Sequence, residues 1–164
     1  MVVLNSGRKG VKRRFIQNDF AGFLTLENFI FYVKPYLREM IPAFMLRQLY
    51  EKGSLKNIVD ENGNKVGFSF SLFNRLGSGT IEGGFKLTVD GENLPLEKIT
   101  IEKGGVTIKA EEFAKTSTLF TVGDRIKFII EKPGGLQPGV HKIVVSTMTM
   151  EYGKIEFDFS DTVS

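Results

Sequence analysis

A chain of 164 residues with 41% apolar and 25% charged content is long enough for one domain with a real core, and its balance argues against disorder. Zero cysteines exclude disulfides, thiolate metal sites and a cysteine nucleophile, which agrees with a reducing cytoplasm, and no apolar run reaches bilayer-spanning length. The net charge of +3 is uneven: residues 1–39 hold seven Lys/Arg against three Asp/Glu, residues 40–164 fifteen against sixteen.

The leading segment has no sustained period. Its cluster Arg8, Lys9, Lys12, Arg13, Arg14 has the charge to touch phosphate, but the body of the chain is neutral, so nucleic acid is not an expected partner and neither is a membrane. Over 25–38, Leu26, Phe29, Ile30, Val33 and Leu37 recur at helical spacing behind Thr25, and Pro35 shortens or kinks that helix. Residues 41–52 predict a second helix, opened by Pro42, stopped by Gly53, and burying a face of Phe44, Met45, Leu49 and Tyr50. The chain thus divides into a basic extension, 1–39, and a domain, 40–164.

From Gly53 onward the period changes to two. In "GFSFSLF", Phe68, Phe70 and Leu72 alternate with Ser69, Ser71 and Phe73; in "TIEGGFKLTVDGE", Ile81, Phe85, Leu87 and Val89 share a face and Asp90-Gly91 gives a turn. "KITIEKGGVTIK", "DRIKFIIE", "VHKIVVSTMTM" and "KIEFDFS" complete about eight strands. With no helical pattern between them, the expected fold is mainly β, an antiparallel β-sandwich preceded by one or two short N-terminal helices. "PGGLQPG", residues 133–139, reads as a strand connection long enough to cross between two sheets.

Catalytic equipment is sparse. "GSGT" at 77–80 lacks the lysine and helix of a phosphate loop, and the single histidine leaves no zinc-type spacing. His141 shares a strand face with Ile143, Val145 and Thr147 and is expected to be a neutral, hydrogen-bonded rim residue; pairing with Asp124 or Glu131 would make it catalytic. Asn74 and Arg75 end a strand at a glycine-rich corner, where they cap a turn or grip a carboxylate or sugar hydroxyl. Asp158 and Asp161 offer two carboxylates, with solvent the expected neighbour of Asp158. Met148 and Met150 are expected as core filling. Candidate binding residues are therefore Asn74, Arg75 and His141; no residue is assigned a catalytic or metal-ligating role, and no cofactor is expected in this chain.

Two resemblances bear on function. From Gly67 to about Met150, "GFSFSLF", "VDGE" and "KPGGLQPGVHKIVV" resemble the small β subunit of the C-glycoside deglycosidases. That resemblance implies a sandwich docked on a TIM-barrel subunit, which carries the metal, usually manganese, and the acid-base residues that cleave a sugar–aglycone C–C bond. Where those subunits carry an aromatic and arginine-containing segment, this chain has "NRLGSGTIEGG", and Arg75 alone stands in for it. From Met40, "MIPAFMLRQLYEKGSLKN" and "GKIEFDFSDTVS" resemble a group of small prokaryotic proteins, some named hydroxymethylglutaryl-coenzyme A reductase. The reductase name is set aside, because the chain is too short and lacks a dinucleotide loop and the catalytic histidine-lysine-acid set. If those relatives begin at the position of Met40, residues 1–39 are an overrun from an upstream start; otherwise they are an extension packing the 25–38 helix on the sandwich.

The leading expectation is thus a non-catalytic accessory subunit of a metal-dependent TIM-barrel sugar-active enzyme, with Phe73, Leu136 and Tyr152 facing the partner. The alternative is a stand-alone small-ligand or carbohydrate binding module, although the lack of Trp counts against sugar stacking. Homo-oligomerisation is left open.

Overall fold

The computed structural model describes residues 41–164; the basic cluster and the helix expected over 25–38 lie outside the described residues. Two antiparallel sheets form a sandwich. The first sheet runs in the order β1 (Lys56–Val59), β2 (Lys65–Phe73), β8 (Arg125–Glu131), β5 (Ile99–Lys103), β6 (Val106–Lys109). The second runs β10 (Gly153–Val163), β9 (Gly139–Thr149), β3 (Gly79–Val89), β4 (Glu92–Asn93), and β7 (Thr118–Phe120) also pairs with β3. The ten strands exceed the expected eight or so because β1, β4 and β7, at two to four residues, are too short to leave a periodic signal.

Alternation decides which side chains meet. Phe68, Phe70 and Leu72 of β2 and Ile126, Phe128 and Ile130 of β8 are buried, and Phe70 pairs with Phe128 across the ladder with rings stacked at 4.9 Å. The second sheet contributes Phe85, Leu87, Val89, Ile143, Val145, Phe157 and Phe159. Phe85 and Phe128 stack at 5.3 Å and 8° between the sheets, so aromatic contact joins the layers at the centre. Each such side chain contributes roughly 1.5–3 kcal/mol on burial. Eight of the fifteen phenylalanines are buried in this core.

Turn chemistry matches the sequence. Asp90 (φ 51) and Gly91 (φ 85) both adopt positive φ and form the two-residue hairpin between β3 and β4. Residues 133–139 carry the chain from β8 in one sheet to β9 in the other, the crossing expected of that loop.

Two expectations are corrected. The helix over 41–52 is much shorter: α1 covers Ala43–Leu46 and a 3-10 turn covers Arg47–Leu49. Pro42 is its cap rather than its first residue, and Tyr50 is already extended, bridged to Leu72. Tertiary contact ends the helix, because the Tyr50 ring stacks on Phe159 at 3.7 Å and its hydroxyl donates to Asp161 at 2.5 Å. The buried set is accordingly Leu46, Leu49 and Tyr50, while Phe44 and Met45 face solvent. Met148 and Met150 are also exposed, not core: Ile143, Val145, Thr147 and Thr149 turn inward, which leaves Met148 on the opposite face, and Met150 follows the end of β9. Short helical turns do follow residue 53, at Leu96–Lys98 and at α2 (Ala110–Phe113), but they are too brief to cover a sheet.

Candidate functional site

Asn74 follows the end of β2 and is 2% exposed. Its amide donates to the carbonyls of Gly77 at 2.8 Å and Phe120 at 2.9 Å, while its Oδ1 accepts the N–H groups of Leu76 and Gly77. Its own N–H donates to Asp124 O, and its carbonyl accepts from Gly123. All of its side-chain capacity is spent tying the β2 corner to β7, so it holds the corner and has nothing left for a ligand.

Arg75 differs from its neighbour. It is exposed, donates to Gln48 O at 3.2 Å, and lies over the Phe73 ring at 4.8 Å. Arg125 approaches the same ring at 5.4 Å while holding Glu51 through both its Nε and its terminal nitrogen. Phe73 is thus half-buried between two guanidinium groups. Thr80 fills the place a phosphate loop would offer an anion: its N–H and hydroxyl hold the Glu151 carboxylate at 2.7 and 2.9 Å.

His141 is not brought to Asn74 and Arg75. It lies near the start of β9, eight residues before Thr149, which pairs with Ile81 close to the Asn74 corner. Its partner is Asp90, in the turn after β3, rather than Asp124 or Glu131; those two pair with Lys103 and Lys109. Nδ1 lies 2.7 Å from Asp90 Oδ2 and Nε2 lies 2.7 Å from the Gln137 carbonyl. Both ring nitrogens therefore face acceptors. The ring is hydrogen-bonded, as expected; the Asp90 hydrogen bond, then that to Gln137, raises the His141 pKa above its ordinary value.

The two C-terminal carboxylates do not act together. Asp158 binds Arg47 and Lys142, whereas Asp161 accepts from Tyr50 and from the Gly53 N–H at 2.7 Å. Among the described residues no three His, Asp or Glu side chains form a group able to hold a metal ion.

Leu136, expected to face a partner, is 3% exposed and sits in the core; its N–H donates to Asn57 Oδ1 and its carbonyl accepts from Asn57 Nδ2. Tyr152 is half-buried and lines a cavity of about 310 Å³ between the sheets. The walls are apolar side chains of both sheets, among them Leu72, Phe85, Phe128, Val145 and Phe157, and α1 contributes Met45 and Leu46. No charged side chain is among its described lining residues. A fully enclosed void of this size would cost on the order of 7 kcal/mol, comparable with the whole net stability of a domain. Alternation alone does not reveal it, because volume depends on how the layers fit. The only trace in the sequence is a set of short residues, Gly77, Gly79, Thr147 and Thr149, at positions where bulkier ones would fill it.

Beside this cavity, Pro42, Ala43, Phe44 and Met45 turn four consecutive apolar residues to solvent, with Phe44 63% exposed. No described helix is long and apolar enough to cross a membrane. Residues 45–164 match the model of a protein family described as hydroxymethylglutaryl-CoA reductase, N-terminal domain. No curated protein matches the chain.

Proposed function

The chain belongs to the hydroxymethylglutaryl-CoA reductase N-terminal domain family, and we propose that it is a non-catalytic β-sandwich subunit of a larger enzyme. We take the partner to be a cytoplasmic, metal-dependent TIM-barrel enzyme acting on sugars, of the C-glycoside deglycosidase type. The observation that carries this reading is the exposed apolar run from Pro42 to Met45 at the lip of the cavity. Water penalises such a surface, and a protein partner relieves the penalty by covering it. Phe73 between Arg75 and Arg125 adds an aromatic and two guanidinium groups, the residue types enriched at interfaces.

In this reading manganese belongs to the partner. The described residues of this chain do not fit a metal, so no chemical step is derived through one here. Reductase activity is not carried over from the family description: the chain's single histidine is spent on Asp90 and Gln137.

The test is purification of the tagged full chain from its native source, with mass spectrometry of what remains bound. The expected result is stoichiometric recovery of a barrel-type enzyme, lost in Phe44→Ser while the thermal midpoint is kept. Recovery of the chain alone, monodisperse, overturns the proposal.

A further inference from the structure

We propose that the cavity between the sheets is a binding site for an uncharged aromatic small molecule carrying one hydrogen-bonding group. The volume sets the size. A cavity of roughly 150 Å³ lined by Leu, Ile and Phe stays dry and takes up benzene, and the present one, at about 310 Å³, has room for two or three rings. It also reaches the lower end of the range found for small-molecule sites.

The lining sets the chemistry. With no Lys, Arg, His, Asp or Glu on the described walls, a buried charge would meet no compensating group and would be excluded. The polar side chains that do line it are already satisfied. Asn74 is saturated, Thr147 donates to Gly83 O at 2.8 Å, and Thr149 donates to Gly153 O at 3.0 Å while accepting from the Tyr152 N–H. Tyr152 is the exception: among the described residues its hydroxyl makes no hydrogen bond, so it supplies one handle on the lining. Aromatic walls favour aromatic guests, because ring edges and faces present complementary partial charges. Phe85 already makes both kinds of contact, stacked on Phe128 and edge-on to Phe113.

This inference is independent of a barrel partner, because it concerns the interior of the sandwich. The test uses the full chain and the neutral fluorophore N-phenyl-1-naphthylamine, displaced in turn by 2-naphthol and by 2-naphthoate. The two competitors share a ring system and differ in charge. The expected result is saturable one-to-one probe binding, displacement by 2-naphthol, and binding of 2-naphthoate at least about tenfold weaker. Tyr152→Phe is expected to weaken 2-naphthol by about fivefold and to leave the probe unchanged. Ile81→Phe and Leu76→Phe each put a ring into the space and are expected to abolish probe binding; either one that folds suffices. Absence of saturable binding to the wild-type chain, equal displacement by the two competitors, or undiminished binding in a folded filled variant overturns the proposal.

Discussion

Asp90 and His141 clamp the turn after β3 to the start of β9: one Asp90 oxygen meets His141 Nδ1 at 2.7 Å and the other accepts the Lys142 N–H at 2.9 Å. When the ring is protonated, the pair joins charges of opposite sign. His141 is raised above 6.5, chiefly by Asp90, against smaller opposing effects of burial and then Lys132, and Asp90 is held below 3.8, chiefly by His141. The histidine's contribution to stability is complete below 6.5 and is lost as pH rises through its raised folded value. The aspartate's contribution is present above 3.8 and is lost as pH falls through its lowered one. Both are therefore at full strength between those two values. NMR titration should show His141 protonated above its ordinary range and returning toward it in Asp90→Asn. A midpoint at or below 6.5 in the wild-type chain would contradict the double-acceptor geometry.

Asn74→Ala removes two donated and two accepted hydrogen bonds at a buried corner and strands the carbonyl of Phe120. The expected loss is about 2–3 kcal/mol in urea unfolding. Ligand affinity in the cavity should fall only in proportion to the unfolded fraction.

Burial, reinforced by the Asp161 hydrogen bond, pushes the Tyr50 hydroxyl up to about 12. Its contribution to stability is complete below 10 and is lost as pH rises through about 12. Ultraviolet difference titration should show a tyrosine ionising near 12, and Tyr50→Phe should abolish that phase. Unfolding should become easier by about 1–2 kcal/mol in that variant, because the ring stack on Phe159 survives while Asp161 and the Leu55 N–H lose a partner.

Gly83 stands where the β3–β9 register slips, at φ 103, and an added Cβ would lie 2.2 Å from the Ala114 carbonyl oxygen. Gly83→Ala should cost at least about 2 kcal/mol. Gly77→Ala, with ordinary φ and open space, should stay within about 0.5 kcal/mol. Comparable midpoints for the two variants in thermal unfolding would refute the clash.

Alternation in "GFSFSLF" and "DRIKFIIE", turn chemistry at Asp90-Gly91 and a loop long enough to cross between layers were sufficient to specify a mainly antiparallel sandwich. Each is a local property, written in side-chain period and backbone preference, so it can be read without knowing what lies opposite. The length of α1 was not of this kind: residues 41–52 have helical spacing, but Phe159 and Asp161, more than a hundred positions away, draw Tyr50 into an extended bridge. Nor was the partner of His141: Asp124 and Glu131 were the carboxylates considered from the sequence, and only the return of β9 beside the Asp90 turn supplies the actual one. The cavity is the furthest from local reading. Its walls come from both sheets and α1, and its volume is the difference between the space those layers enclose and the side chains that fill it. A pattern of apolar residues says which faces meet; only their packing decides what is left between them.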